Sequence, residues 1–552
     1  MTTVADAVGA ALARAGVTTV FGVVGSGNFH VTNALTAGGA RFVPARHEGG
    51  AAVMADAYAR VSGELGVLSV HQGPGLTNAL TGITEAAKSR TPLLILTPTA
   101  TNPRSNFYLD EAALAAAVGA TLVRLDSAAS AAADLARAYR TAAGERRTVL
   151  LTLPLDVQAA PSPAFTLPAV PPASARAPAA ESIAALADAL AVAHRPVFLA
   201  GRGAREAGKE IKHLSERTGA LLATSAVSRG LFRGEAFDLD VSGGFATPVA
   251  AELIRNADLL VGWGCALNMW TLRHGTLVGD GTSVVQVDID PDALGAHHRI
   301  DLGIAGDAAA TARAVHDELD RRVGGPPPAG ERPQGYRSAA VARRLAREGR
   351  WRDVPYKETS EDHRIDPRTL SVALDVLLPV QRTVAVDSGN FMGYPAVYLD
   401  VPDADGFVFT QAFQSVGLGL ATAIGAAVAR PDRLTVAALG DGGALMGAAE
   451  LETAVRLGLD LLVVVYDDEA YGAEVHHFGP GGHPLDHVTF PPADIAEIGR
   501  GFGFAGVTVR GPADLEAVAG WLAGPRDRPM VVDAKVTRTE PSWWLAEAFR
   551  GH

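Results

Sequence analysis

The sequence has little cysteine and few aromatic residues. Cys265 is the one cysteine in 552 residues. That excludes an internal disulfide framework and any metal site built from several thiolates, and it fits a reducing cytoplasm. Aromatics make up 6%, so Ala, Val and Leu carry much of the apolar content. Basic residues are outnumbered, with 48 Lys and Arg against 60 Asp and Glu and a net charge of -12. A nucleic-acid binder shows the opposite balance. No long hydrophobic run occurs. The least polar stretch, residues 415–429, is too short and too rich in glycine to span a bilayer. The opening MTTVADAVGAALARAG has no basic segment ahead of an apolar core, and it reads as an amphipathic helix rather than a signal peptide. No G-x-x-x-x-G-K-[ST] is present. Neither GSGN nor GRGARE completes G-x-G-x-x-G with an acidic residue at the proper distance. A P-loop hydrolase and a nucleotide-binding dehydrogenase are therefore disfavoured, although composition alone would allow a non-catalytic binding protein. The expectation is a soluble, cytoplasmic enzyme with no nucleic-acid or membrane partner.

What is present is ordinary globular material, 48% hydrophobic and 20% charged, and long enough for three or four domains. Two stretches rich in proline, 160–180 and 324–335, read as extended spacers. They divide the chain into 1–160, 181–323 and 360–552. Each part alternates short β-branched runs with helical patterns: VTTVFGVV, GVLSV and PLLILTP; PVFLAG, ADLLVGWG and SVVQVDID; TVAVDSG, LTVAALGDG, LDLLVVVYDD and PMVVDAKV. Continuous apolar strands between helices predict parallel sheets buried on both faces. The expected class is α/β, with three doubly wound parallel-sheet domains. Such sheets bind ligands beyond the carboxyl ends of their strands.

Two of those ends carry acid. LTVAAL runs into Gly440 and Asp441, and LLVVVY runs into Asp467 and Asp468, with a helix predicted over about 444–457. Consecutive parallel strands lie close together, so Asp441 and Asp468 can share one site. Two hard carboxylates suit Mg²⁺ or Ca²⁺. The glycines beside Asp441 let backbone N–H groups approach an anion. Asp-Gly after a strand is also a common turn; GDG, 24 residues and then a polar pair is far more specific.

This stretch resembles the diphosphate-binding motif of the thiamine diphosphate enzymes. The resemblance implies Mg²⁺ ligated by Asp441, Asp468 and the Ala470 carbonyl. It places Gly440, Gly442, Gly443 and Tyr471 around the cofactor, with Gly442 and Gly443 facing the diphosphate. Asp-Asp stands where the family usually has Asn-Asn, which adds negative charge beside a diphosphate and bears on metal choice. In RHEGGAA, Glu48 resembles the glutamate that drives thiamine into its imino tautomer. DSGN resembles the segment touching the diphosphate through Gly389 and Asn390. QSVGLGLATAIGAAVA resembles the stretch under the pyrimidine, with the Gln414 carbonyl as acceptor and Val416 as the wedge. The resemblance covers the whole chain in the family's order: pyrimidine-binding, central and diphosphate-binding domains. It implies a homodimer at least, commonly a homotetramer.

GPGLTN and KSRTPLLIL resemble the acetohydroxyacid synthase and benzoylformate decarboxylase group. The resemblance implies a 2-oxo acid substrate, loss of CO₂ and an enamine whose fate the protein chooses. Ser26 matches the serine that benzoylformate decarboxylase sets on the substrate carboxylate, and His71 its proton-transfer histidine. Glu474, in YGAEVHH, matches a catalytic glutamate of pyruvate decarboxylase. The histidine pair of that enzyme's first domain is missing from TNPRSNFYLDEAAL. Two readings follow: non-oxidative decarboxylation, with Glu474 and His71 handling protons, and a carboligase like acetolactate synthase. The central domain lacks the synthases' FAD arginine in GWGCALNMWT, so FAD is not expected. Phe29, His30, Phe107, Asn268, Trp270, Phe391 and Phe478 are candidates for the substrate pocket. His476 and His477 are candidates for its entrance. Asp362 and His363 read as surface residues. The segment TEPSWWLAEAFRGH is left open between a lid and a packed tail.

Overall fold

The computed structural model describes residues 2–170, 176–323 and 335–550. The spacer at 324–335 falls almost wholly outside the described residues, and the spacer at 160–180 partly so.

Three six-stranded sheets follow one another along the chain, and every strand pairing in them is parallel. The first holds Thr19–Gly22, Arg41–Pro44, Gly66–Ser69, Leu93–Thr99, Thr121–Arg124 and Thr148–Pro154. The third holds Arg382–Val386, Phe407–Phe409, Leu434–Gly440, Leu461–Asp467, Ala505–Val509 and Met530–Lys535. Both run in spatial order 2-1-3-4-6-5. The middle sheet, from Pro196–Ala200 to Leu302–Ala305, runs 3-2-1-4-5-6. In the outer two the connection reverses between the first and third strands. That crevice is where open α/β sheets bind ligands. The central strands are buried on both faces, Leu461–Asp467 along its entire length, which accounts for their unbroken apolar runs.

The first and third units pack through two helices with small faces, Glu48–Ser62 and Gly419–Ala429. EGGAAVMADAYARVS and GLATAIGAAVA allow a near approach of backbones. A Cβ on Gly425 would stand 2.3 Å from the Met54 carbonyl oxygen. One apolar cluster, from Phe21 and Ile83 to Leu451 and Phe504, runs through this contact. Beside it lies a buried ionic knot. Arg60 pairs with Asp56 at 2.7 Å and Glu85 at 2.8 Å. Glu85 in turn accepts from the Ala412 and Phe413 N–H groups at 3.2 and 2.7 Å.

One reading of the sequence needs revision, and one left open is decided. The helix predicted over about 444–457 is two short helices, Asp441–Met446 and Glu450–Arg456. Gly447 closes the first, its N–H donating to the Gly443 carbonyl at 3.1 Å. The break frees Glu450 to turn toward the first unit. The C-terminal segment is a packed tail: Trp544 is buried against Tyr394 and Phe245, and Trp543 stacks on Trp351 at 4.2 Å.

Candidate active site

The acids at the two strand ends do come together. Leu434–Gly440 pairs with Leu461–Asp467 in a register that sets Gly440 opposite Tyr466, so Asp441 leaves the sheet beside Asp467 and Asp468. Asp441 and Asp468 are both buried. Burial, then the neighbouring Asp468 and Asp467 carboxylates, push Asp441 up to about 8. Burial and Asp467 push Asp468 up to about 7, against the relief it takes from the Ala470 N–H and the Asn390 side chain. Among the described residues no Lys, Arg or His forms an ion pair with either acid.

Ala470 meets Thr489 in an isolated antiparallel bridge. The bonds flanking that bridge belong to the Tyr471 N–H, donating to the Val488 carbonyl at 2.8 Å, and to the Glu469 carbonyl, accepting from the Phe490 N–H at 2.9 Å. This pattern turns the Ala470 carbonyl away from Thr489, to the side on which its N–H meets Asp468. Gly472 closes the loop. A Cβ there would lie 2.2 Å from Asp468 Oδ2 and 2.9 Å from Asn390 Nδ2. Asn390 is held from the tail, with the Ser542 hydroxyl 2.7 Å from its Oδ1.

Gly442 lies under the Tyr471 ring, where a Cβ would come within 2.7 Å. As the first residues after Asp441, Gly442 and Gly443 present N–H groups without intrahelical partners. Gly443 abuts Asp387, at 2.2 Å from a built Cβ to Oδ2. Asp387 is fully buried and accepts from the N–H groups of Ser388, Gly417 and Leu418 at 2.8, 3.0 and 3.2 Å. Burial pushes its carboxyl up to about 6. It ties the 387–390 turn, which carries Gly389, to the 414–418 loop, where Gln414 adopts φ +59° and Val416 is 39% exposed.

A second cluster gathers at the first sheet's switch point. Glu48 opens the helix Glu48–Ser62 behind the N-cap His47, whose Nδ1 accepts from the Gly49 N–H at 3.0 Å. Its Oε2 accepts from Asn78 Nδ2 at 3.0 Å. His71 follows the third strand, and its Nδ1 accepts from the Gly27 N–H at 3.3 Å. Its ring meets Phe107 edge-on at 5.4 Å. Partial burial lowers its pKa while Glu48 pulls the other way. Ser26 is exposed in the turn between Gly25 and Gly27, and the Asn28 side chain pins that turn by accepting from the Gly25 N–H at 2.8 Å.

The structure thus joins Ser26, Glu48 and His71 into one group and Gly389, Asn390, Gly440, Asp441, Gly442, Gly443, Asp468, Ala470 and Tyr471 into another. No hydrogen bond or ion pair links Glu48, Ser26 or His71 to Asp441 or Asp468. Glu474 lies in the first turn of Gly472–Phe478, directly after the Asp468 loop, and is partly exposed. In the same helix burial lowers the pKa of His476, and His477 stacks on Phe549 at 3.9 Å. Some pocket candidates lie elsewhere. Asn268 Oδ1 accepts from the Thr271 N–H, and Trp270 covers Gly244 in the middle unit. Phe391 instead adjoins the site, its ring on Tyr466 and against Gly389 and Gly440. His363 sits in an exposed turn at φ +71°.

Three residues with roles here were not singled out from sequence. Asp387 is one. Glu450 is buried and accepts from the Arg46 and His47 N–H groups at 3.1 and 3.0 Å, which fixes the start of the Glu48 helix. Lys535 contacts Asp467 across adjacent strands. Glu450 carries a local signal, an acid in an otherwise apolar helix face; Lys535 carries none.

Two buried carboxyls without a countercharge among the described residues, a carbonyl turned toward one of them and the N–H groups of a helix start beside them fit a divalent cation holding a diphosphate. A cluster of three or more acid, His or Cys ligands is absent among the described residues, and a site of two carboxylates and a carbonyl does not require one. Profiles of three families match the chain: the thiamine pyrophosphate enzyme N-terminal TPP binding domain over residues 2–114, the central domain over 183–315 and the C-terminal TPP binding domain over 387–534. The chain belongs to the thiamine pyrophosphate enzymes. It is similar to "Probable 2-ketoarginine decarboxylase" of Pseudomonas aeruginosa, 32% identical across 92% of this chain and 88% of that protein. It is 28% identical to "Acetolactate synthase, catabolic" of Raoultella terrigena across 93% and 91%. It is 29% identical to "Sulfoacetaldehyde acetyltransferase" of Castellaniella defragrans across 83% and 80%. The protein is therefore a thiamine pyrophosphate enzyme of the decarboxylase and acetolactate synthase type. No helix among the described residues is long and apolar enough to cross a membrane.

Proposed function

We propose that the protein catalyses non-oxidative decarboxylation of a 2-oxo acid, with thiamine diphosphate and Mg²⁺ as cofactors and without FAD. One observation carries the choice of reaction: a carboxyl, that of Glu474, lies in the first turn of the helix that directly follows the Asp468–Tyr471 loop. The bound cofactor supplies the nucleophilic carbon and the electron sink for loss of CO₂. Asp441, Asp468 and the Ala470 carbonyl hold the metal, and the Gly442 and Gly443 N–H groups meet the diphosphate. Glu48 exchanges a proton with the pyrimidine. Ser26 binds the substrate carboxylate. Burial lowers the pKa of His71, which favours the neutral imidazole that can accept a proton. Glu474 donates the proton that releases an aldehyde. The spans 1–160, 181–323 and 360–552 serve as pyrimidine-binding, central and diphosphate-binding domains, in a homodimer at least.

Glu474→Gln tests the role. Steady-state aldehyde release should fall by about 10²–10⁴-fold, while cofactor uptake and the loss of one CO₂ per site in a single turnover persist. Unchanged release removes Glu474 from the reaction.

A carboligase reading, joining the acyl unit to a second carbonyl compound, is favoured by the relatives named acetolactate synthase. Product analysis with and without an acceptor aldehyde or keto acid separates the two. The relative named for 2-ketoarginine makes a 2-oxo acid with a cationic chain a substrate to assay beside pyruvate and benzoylformate.

A further inference from the structure

Asp467 and Asp468 are consecutive, and side chains alternate along a strand, so the two face opposite ways. Asp468 turns to Asp441. Asp467 turns to the neighbouring strand Met530–Lys535, where Lys535 stands directly opposite it. The Lys535 ammonium contacts Asp467 Oδ2, lies 3.1 Å from Asp533 Oδ2 and donates to the Ala493 carbonyl at 2.8 Å. Asp533 is two residues back from Lys535 and therefore on the same face; its Oδ2 accepts from the Ile495 N–H at 3.1 Å. Asp467, Asp533 and Lys535 are 1%, 0% and 4% exposed. Among the described residues no other cation forms an ion pair with Asp467 or Asp533.

The other Asp467 oxygen, Oδ1, accepts from the Glu469 N–H at 3.0 Å. Glu469 adopts φ +56°, and this turn delivers the Ala470 carbonyl. The pair of acids at the strand end is thus not two equivalent ligands. One points to the site and one is locked behind it.

We infer that Lys535 is a positioning residue for the cofactor metal: it offsets the buried charge of Asp467 and Asp533 and, by pinning the Asp467 carboxylate behind the strand, keeps Asp468 and the Ala470 carbonyl aimed at Asp441. Without the ammonium, three acids would crowd the place where a diphosphate must sit, and a single divalent cation offsets only two charges. With it, an aspartate occupies a position that otherwise calls for a neutral side chain. The inference rests on the reading of Asp441 and Asp468 as metal ligands.

The test is Mg²⁺-dependent uptake of thiamine diphosphate, followed by calorimetry and by intrinsic fluorescence, in the wild type, Lys535→Met and Lys535→Met/Asp467→Asn/Asp533→Asn. Loss of an outer-shell partner typically weakens a metal site about 10- to 100-fold, and that weakening is expected in the single variant. The triple variant, with the ammonium and both of its carboxylates gone, should return to within about threefold of the wild type. If the single variant does not fold, the triple alone decides. Folding with uptake near the wild-type value supports the inference; a triple variant that misfolds or takes up no cofactor overturns it. A folded Lys535→Met with unchanged uptake also overturns it. A wild type that binds no cofactor in the presence of Mg²⁺ brings down the metal-site reading, and the inference with it.

Discussion

At the scale of single residues, Glu48 and the Asp441–Asp468 pair carry the account. Glu48→Gln should lower turnover by about 10²–10⁴-fold with cofactor uptake largely retained, as read by steady-state rates beside calorimetry. Equal losses in both would reduce Glu48 to a structural residue. The acid pair makes a pH prediction. Both carboxyls are raised above the ordinary value of about 4, to about 8 and about 7. The folded cofactor-free protein therefore binds these protons more tightly than the unfolded chain. Their stabilising contribution is complete below about pH 4 and is lost as pH rises through 7 and 8. Thermal melts of the cofactor-free protein should fall between pH 6 and pH 8.5. Asp441→Asn/Asp468→Asn should flatten that fall. Mg²⁺ with thiamine diphosphate should compete better as the protons leave.

Much of this residue scale was legible in the sequence. GDG, the following dipeptide and Glu48 carry their chemistry in a short window, because each sits where a strand ends and a helix begins. Asp387 and Lys535 were not legible in the same way. Asp387 acts through the backbone of a loop thirty residues on, and Lys535 reaches Asp467 only through strand adjacency across 68 residues. Sequence spacing says nothing about either contact.

At the scale of elements, the helix Glu48–Ser62 is fixed from both ends of the first–third contact. Glu450 holds its start, and small residues let Gly419–Ala429 lie against it. Gly425→Val would drive a side chain into the Met54 carbonyl, so a loss of about 1–3 kcal/mol is expected, seen as a lower midpoint in denaturant at unchanged m. No change in midpoint would mean that this contact yields without cost. Glu450→Ala would leave the Arg46 and His47 N–H groups without their acceptor, at about 1–3 kcal/mol. It should also disturb Glu48 and lower turnover beyond the effect on stability. Ten of the strands and their parallel pairing were evident from unbroken apolar runs; edge strands such as Thr121–Arg124, Phe407–Phe409 and Ala505–Val509 were not. The broken helix after Asp441 was not, because its apolar period continues through Gly447 and only the contact with Arg46 and His47 decides where Glu450 turns.

At the scale of the whole molecule, no hydrogen bond or ion pair joins Glu48, Ser26 or His71 to Asp441 or Asp468, and apolar residues such as Phe29, Phe107, Phe413, Val416 and Met446 stand exposed. A partner copy that covers these residues and brings the two groups together would complete the site. Sedimentation should give a dimer or larger. Mixing and reassembling Glu48→Gln with Asp468→Ala, each inactive alone, should restore up to about a quarter of the wild-type sites by random pairing of the two chains. No recovery from a verified mixed assembly would place both groups' function within one subunit.

The most direct measurement of the central claim is turnover of cofactor-stripped protein with thiamine diphosphate and Mg²⁺ on pyruvate, benzoylformate and a cationic 2-oxo acid, following CO₂ and identifying the organic product. The account predicts CO₂ release that requires both cofactors, with the corresponding aldehyde as product. An acyloin or acetohydroxy acid in place of the aldehyde would contradict the role given to Glu474 and make the protein a carboligase.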